Sequence, residues 1–219
     1  MPAEAIQLEV WSDIACPWCY IGKRSLESAL ELVEFPVEVT WRSFELDPGA
    51  AASYGRPMPE LLAKKYGGTI DQALEGMARV EAAAAERGIT YDLAKARGGN
   101  TVNWHRLVKY AESKDLGFAM MERLFEAYLS EGVDLSEAGA LALQAQQVGL
   151  DPEDVATFLE GNELLQAVRD DEALAANLGI SAVPAFVANR AYVVNGAQPP
   201  AVLMGFLVKV FEESQQASE

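Results

Sequence analysis

"SDIACPWCYIGKRSLESAL", residues 12–30, holds the only two cysteines of the chain, Cys16 and Cys19, with Pro17 and Trp18 between them. Before it, "IQLEVWS" (6–12) is short, apolar and contains Val and Trp, which reads as a strand. Pro17 suits the first position of a helix, where its missing N–H is no loss. Ile21, Leu26, Ala29, Leu30 and Val33 then share one face, so a helix is expected over 17–33. "VEVTWRSFEL" (37–46) alternates Val37, Val39 and Trp41 with Glu38, Thr40 and Arg42, and "DPG" (47–49) ends it as a second strand. Strand, helix and strand in this order make a βαβ unit.

From about residue 57 to 178 nearly every segment has helical spacing. "TIDQALEGMARVEAAAAERG" opens with Thr69 and Gln72 in capping-box spacing and closes with Gly88. "NWHRLVKYAESK", "MMERLFEAYLSEG" and "SEAGALALQAQQVG" follow, each with an apolar stripe. "DPEDVATFLEG" has Asp151 as N-cap and Pro152 at the first position, and "NELLQAVRDDEALAANLG" stops at Gly179. Strand character returns in "VPAFVANRAYVVNG" (183–196), a hairpin with Asn189-Arg190 at its tip. "PPAVLMGFLVKVFEES" (199–214) is a closing helix. The order is βαβ, a helical block, then ββα.

Bulk properties exclude several classes. The chain's 219 residues, half of them hydrophobic, can bury a substantial core and do not describe a disordered chain. A net charge of −16, with Lys and Arg interleaved among the acids, disfavours nucleic acid or an anionic membrane as partner. Acidic residues precede the first basic one, Lys23, so no secretory signal is visible, and a cytoplasmic location is expected. In that reducing compartment a structural disulfide across so short a loop is disfavoured.

The chemistry of the pair follows from its place. Disulfide exchange needs a reachable thiolate. Cys16 would stand at the N-cap of its helix, where unpaired backbone N–H groups and the positive end of the helix dipole favour an anion. A free thiol titrates near ~8.5, and each unit of lowering is about 1.4 kcal/mol of thiolate stabilisation. Cys19, on the same face, can attack a mixed disulfide formed on Cys16. Trp18 would be exposed beside the sulfurs and offer apolar surface to a substrate. Cys16 is therefore assigned as nucleophile and Cys19 as resolving thiol. Two other readings stand beside this one. A structural cysteine pair suits a helix start poorly. A zinc site would need two more ligands in a chain whose only histidine is His105.

Cys-Pro-Trp-Cys at the start of the first helix and Val183-Pro184 opening a late hairpin resemble the thioredoxin fold, and the inserted helices resemble the DsbA-like group. "SDIACPWCYIGKR", "RSFELDP", "NTVNWHRL" and "GISAVPAFVANRAYVVNGAQPP" are similar to its cytoplasmic FrnE-type members. The resemblance implies an α/β thioredoxin fold split into residues 1–48 and 179–219 around a helical insertion, 49–178. It implies a cis Val183-Pro184 bond facing the sulfurs, with Val183 offering its backbone to an extended substrate and Pro184 keeping metals from the thiols. It places "NTVNWHRL", with His105, above Trp18 in the substrate cleft. The alternative reading of His105 is a side chain bonded across helices.

The sequence also departs from the group. Val10 stands where thioredoxin-like proteins carry a buried acid, which leaves Asp13 as a candidate proton relay or, alternatively, as a residue satisfying loop N–H groups. Trp18 stands where other DsbA-like proteins have His, removing a cation from beside the thiolate.

The expected function is thiol–disulfide oxidoreductase, as oxidase, reductase or isomerase, on protein or small-molecule thiols and disulfides. It would be recycled by a cytoplasmic thiol system, with no cofactor beyond the redox pair and glutathione as a conceivable co-substrate. Two alternatives are carried with it. One is a glutathione-dependent enzyme of the 2-hydroxychromene-2-carboxylate isomerase or kappa-class transferase type. The other is a non-catalytic, chaperone-like module that uses the helical cleft.

Overall fold

A computed structural model describes residues 5–217. β1 (Ile6–Ser12), α1 (Pro17–Leu30) and β2 (Val37–Ser43) form the first unit, and β3 (Ala185–Ala188), β4 (Tyr192–Asn195) and α9 (Pro200–Ala217) the last. Both join in one sheet of order β2-β1-β3-β4. The crossover through α1 makes β1 and β2 parallel, with Ile6 opposite Val37. β3 runs antiparallel to both β1 and β4.

β1 is central, and all of it except Gln7 is buried. Ile6, Leu8 and Val10 pack with Leu26 and Ala29 of α1 and Leu203 and Leu207 of α9. Trp11, on the other face, packs with Ala185 and Val187 under Ala175. At the hairpin tip Asn189 and Arg190 take left-handed φ of 50° and 53°. Their side chains offset that strain: Asn189 Oδ1 accepts from Gln7 N at 3.0 Å, and Arg190 Nε donates to Glu9 Oε2 at 2.8 Å.

Between the two units run α2 (Met58–Tyr66), α3 (Ile70–Ala85), α4 (Val102–Glu112), α5 (Gly117–Phe125), α6 (Ala138–Gln147), α7 (Pro152–Glu160) and α8 (Leu165–Asn177). The capping box at Thr69 is present, with both Thr69 and Gln72 side chains accepting from each other's backbone N–H. Asp151 Oδ1 accepts from Glu153 N at 2.8 Å. Caps of this kind contribute about 1 kcal/mol each.

Several elements differ from the sequence reading, α9 among them, which runs to Ala217 rather than 214, and three of the differences have a local cause. α1 ends at Leu30 rather than 33, where the last turn tightens to an i→i−3 bond from Leu32 N to Ala29 O at 3.1 Å. β2 ends at Ser43 rather than 46: Phe44 N still donates to Ser12 O at 3.1 Å, but the N–H groups after it turn to side chains. Glu45 N donates to Glu172 Oε1 at 3.2 Å and Leu46 N to Asp13 Oδ2 at 2.8 Å. The helix expected through "MMERLFEAYLSEG" becomes a wide i→i+5 turn over Glu126–Ser130, closed by Glu131 N to Glu126 O at 3.0 Å.

Candidate active site

β1 delivers the chain into a tight turn at Asp13, where Cys16 N donates to the Asp13 carbonyl at 3.0 Å. Cys16 is the N-cap of α1, in extended backbone (φ −92°, ψ 111°), and no side-chain oxygen caps the helix. Its sulfur therefore stands where a capping acceptor would, facing the free N–H groups of the first turn. Cys16 is 5% exposed and Cys19 fully buried, while Trp18 is 43% exposed. Both cysteines are free thiols.

The Val183–Pro184 bond is cis, and the Cys16 thiol points to the Val183 carbonyl, Sγ to O 3.7 Å. This loop comes close to α1 because position 22 has no side chain. A Cβ on Gly22 would lie 3.0 Å from Pro184 Cγ and 3.3 Å from Phe186 Cζ.

The two thiols are displaced in opposite directions. Cys16 is held below the ordinary thiol range, first by a hydrogen bond from the Cys19 thiol and then by the backbone N–H groups of Cys19 and Trp18. Burial and the negative charge of Asp13 act against this. Cys19 is pushed well up by burial, and further by its position next to Cys16. The Asp13 backbone and the Ser12 hydroxyl oppose that rise.

Cys16, Pro17 and Trp18 border a cleft of about 990 Å³, whose far walls come from α2, α3 and the wide turn at Tyr128. Met58, Leu62, Met77 and Val80 make those walls largely apolar, and Asp13 and Tyr54 add polar groups. Tyr54 Oη donates to Asp47 Oδ2 at 2.6 Å, which fixes the rim. The cleft thus presents apolar surface beside the more ionisable thiol.

Asp13 is 1% exposed, and both of its oxygens accept main-chain N–H groups, from Ala15 at 3.1 Å and Leu46 at 2.8 Å. His105, 4% exposed, puts Nε2 3.4 Å from Asp13 Oδ1, but the approach is not aligned as a hydrogen bond. The expectation that "NTVNWHRL" reaches the cleft holds for Thr101, which borders it, and not for His105, which lies behind Asp13. The structure thus joins two residues that the sequence singled out separately.

Sequence reasoning missed three contributors. Tyr91 Oη donates to the Pro17 carbonyl at 2.7 Å. Ser12 is buried beside Cys19 as the last residue of β1, a hydroxyl closing an otherwise apolar strand end, which is the signal that could have drawn attention to it. Lys23, fully buried, bonds Glu27 at 2.6 Å and also Glu122. It lies four residues after Cys19 and so on the same buried stripe.

Known proteins share this fold. The sequence profile of the DSBA-like thioredoxin domain matches residues 7–208. A probable DsbA oxidoreductase from Streptomyces coelicolor is 38% identical, with a TM-score of 0.89 over 95% of this chain and 91% of that one. The fold is shared, at 14% identity, by a 2-hydroxychromene-2-carboxylate isomerase, with a TM-score of 0.70 over 97% of this chain and 100% of that one. It is also shared, at 22% identity, by the cytosolic disulfide reductase DsbM from Pseudomonas aeruginosa, with a TM-score of 0.63 over 94% of this chain and 98% of that one. The residues matched by the profile run from β1 into α9 and take in both thiols and the cis-proline loop, so the chain belongs to the DSBA-like thioredoxin-domain family.

Proposed function

We propose that the protein is a thiol–disulfide oxidoreductase in which the Cys16 thiolate attacks a substrate disulfide and Cys19 resolves the mixed disulfide. The observation that carries this reading is the placement of two free thiols one helical turn apart, Cys16 at the helix N-cap beside the cleft and opposite the cis Val183–Pro184 bond, and Cys19 buried beneath it. The displacements of the two thiols are in keeping with that placement. A lowered Cys16 is a thiolate at lower pH and also the better leaving group. A buried Cys19 stays protonated until a mixed disulfide has formed.

Val183 and Pro184 stand opposite the nucleophile, and an extended substrate would pair with the Val183 backbone there. Trp18 and the methionines of the cleft supply the adaptable apolar contact that an unfolded polypeptide or an apolar small-molecule disulfide needs. A cytoplasmic thiol pool, glutathione included, would return the pair to its working state. Among the described residues no helix is long and apolar enough to cross a membrane, which is compatible with a cytoplasmic setting.

Insulin reduction and mixed-disulfide trapping test the proposal. Cys16→Ser is expected to lose exchange altogether. Cys19→Ser is expected to accumulate a covalent adduct with substrate on Cys16. A Cys16→Ser protein that kept full activity towards a glutathione conjugate would overturn the reading in favour of a glutathione-dependent isomerase or transferase.

A further inference from the structure

Behind the cysteines, the end of β1, β2 and α4 line a small, partly open pocket with a void of about 10 Å³, bordered by Ser12, His105, Trp41 and Glu112 among others. Among the described residues two buried side-chain polar atoms lack a nitrogen or oxygen partner, Ser12 Oγ and His105 Nε2; Ser12 faces only the Cys19 sulfur, and both residues border this void. A buried unsatisfied polar atom costs roughly 1–3 kcal/mol, so two around one space call for a common partner. A void of this size has room for one water, and a water with polar neighbours satisfies such atoms.

The void is also well placed for chemistry. Ser12 lies against Cys19, which has no acid at position 10 to receive its proton. His105 lies 3.4 Å from Asp13, and Asp13 borders the substrate cleft.

We propose that one water held between Ser12 Oγ and His105 Nε2 joins the Cys19 thiol to the Asp13–His105 pair, and that this chain carries the proton of the resolving thiol. The proposal rests on the oxidoreductase reading. In the resolving step Cys19 Sγ forms a bond to Cys16 Sγ, and the bond from Cys16 to the substrate sulfur breaks. The substrate leaves as a thiolate with the electron pair of that bond. The Cys19 proton passes to Ser12 Oγ, which releases its own through the water to His105 Nε2, giving an imidazolium beside the Asp13 carboxylate. The pair of cysteines is oxidised and the substrate disulfide reduced by two electrons. In the opposite direction His105 returns the proton to Cys19 as it leaves.

Other charged groups around the route are already engaged. Lys109 pairs with Asp171 at 2.5 Å, and Arg42 bridges Glu9 and Asp171. Glu45, which faces the imidazole, is held by Arg169 at 2.5 Å. Glu112 borders the void from α4, and Cys16 and Tyr91 face Cys19 from the cleft side. Ser12 and His105 thus act through Cys19 as positioning and proton-carrying residues, without touching substrate.

The chromogenic disulfide DTNB reads the two thiols separately. Attack by Cys16 releases one coloured thiolate, and resolution by Cys19 releases a second. In Ser12→Ala the second release is expected to slow by roughly hundredfold near pH ~7, the lower end of the usual contribution of a proton-transfer group, and to recover towards pH ~10, where hydroxide takes the proton. His105→Gln should show the same pH-dependent gap, and Ser12→Thr, which keeps the hydroxyl, should close it. Ser12→Ala removes only a hydroxyl, and the water keeps His105 as a partner, so the variant should fold. An unchanged second release in Ser12→Ala, or a slowing of equal size at every pH, overturns the relay while leaving the oxidoreductase reading intact. A wild-type protein that released no second thiolate would overturn that reading and the relay with it.

Discussion

α1 is gripped from two sides by different chemistry. Towards the sheet, Leu26 and Ala29 pack on Ile6, Leu8, Val10 and Phe186, an entirely apolar contact. Towards the inserted helices, Lys23 lies 3.8 Å over the Phe118 ring and bonds Glu122 of α5, which also receives Arg24 and the Tyr20 hydroxyl. Apolar packing is non-directional, and its loss scales with the area uncovered. An ionic cluster is directional, and it fails abruptly when one member is removed and its partner is left buried. Tyr20 and Ile21 add apolar packing on the insertion side as well, Tyr20 stacked on Phe125 at 4.9 Å, so what the ionic cluster adds is direction: it sets how the insertion is angled over Cys16.

The largest test of that contrast is Lys23→Met. It keeps the apolar stem and removes one partner of Glu122 while Arg24 and the Tyr20 hydroxyl remain, so the cost should be that of a charged hydrogen bond, about 1.5–3 kcal/mol. Urea denaturation should show a loss of that order, and Lys23→Met combined with Glu122→Leu should recover part of it. A loss below ~1 kcal/mol would mean that the cluster behaves as an exposed pair and that packing alone orients the insertion.

The contrast also marks where the sequence could be read. Cys16, Pro17 and Cys19 are legible because a helix start makes a thiolate by local geometry alone. The Thr69–Gln72 cap and the Asn189-Arg190 turn are local in the same sense. Val183-Pro184 was placed opposite the thiols only through resemblance, since nothing in two residues encodes a partner 167 positions away. Lys23 and Glu122 are 99 positions apart, and each alone reads as a solvated surface charge. His105 and Asp13 were both singled out, yet their meeting depends on how α4 crosses the end of β1, which no periodicity states. Local chemistry was visible, and contacts made by packing one lobe on the other were not.

A second test separates the influences on the nucleophile. The Cys19 thiol is the largest influence holding Cys16 down, so Cys19→Ala should raise the Cys16 midpoint in an alkylation–pH profile. Each unit of rise is about 1.4 kcal/mol of thiolate stabilisation lost. An unchanged midpoint would assign the lowering to the backbone N–H groups of α1 instead. The linkage has a definite sign. Because Cys16 is lowered in the folded protein, its contribution to stability is fully present above the unfolded thiol value near ~8.5 and is lost as pH falls through the folded value. Cys19 is raised, so its contribution is fully present below ~8.5 and is lost as pH rises through its own folded value. Reduced wild-type protein should therefore lose its stability advantage over Cys16→Ser on acidification through the Cys16 midpoint.

The smallest expected effect lies where the insertion touches the first turn of α1. Tyr91, 7% exposed, donates its hydroxyl to the Pro17 carbonyl at 2.7 Å and lies against Tyr20 with ring centroids 6.1 Å apart. Tyr91→Phe keeps the ring contact and deletes only the hydrogen bond, a change of about 1 kcal/mol. Pro17 O sits inside the helix and has the α1 backbone as its other partner, so little strain should follow. If the inserted helices only wall the cleft, stability should fall by about that amount and the Cys16 midpoint should move less than in Cys19→Ala. A midpoint that moves as far as in Cys19→Ala would show instead that the insertion reaches through Tyr91 to the nucleophile's own turn. The division between a sheet half that makes the thiolate and a helical half that shapes its surroundings would then have to be redrawn.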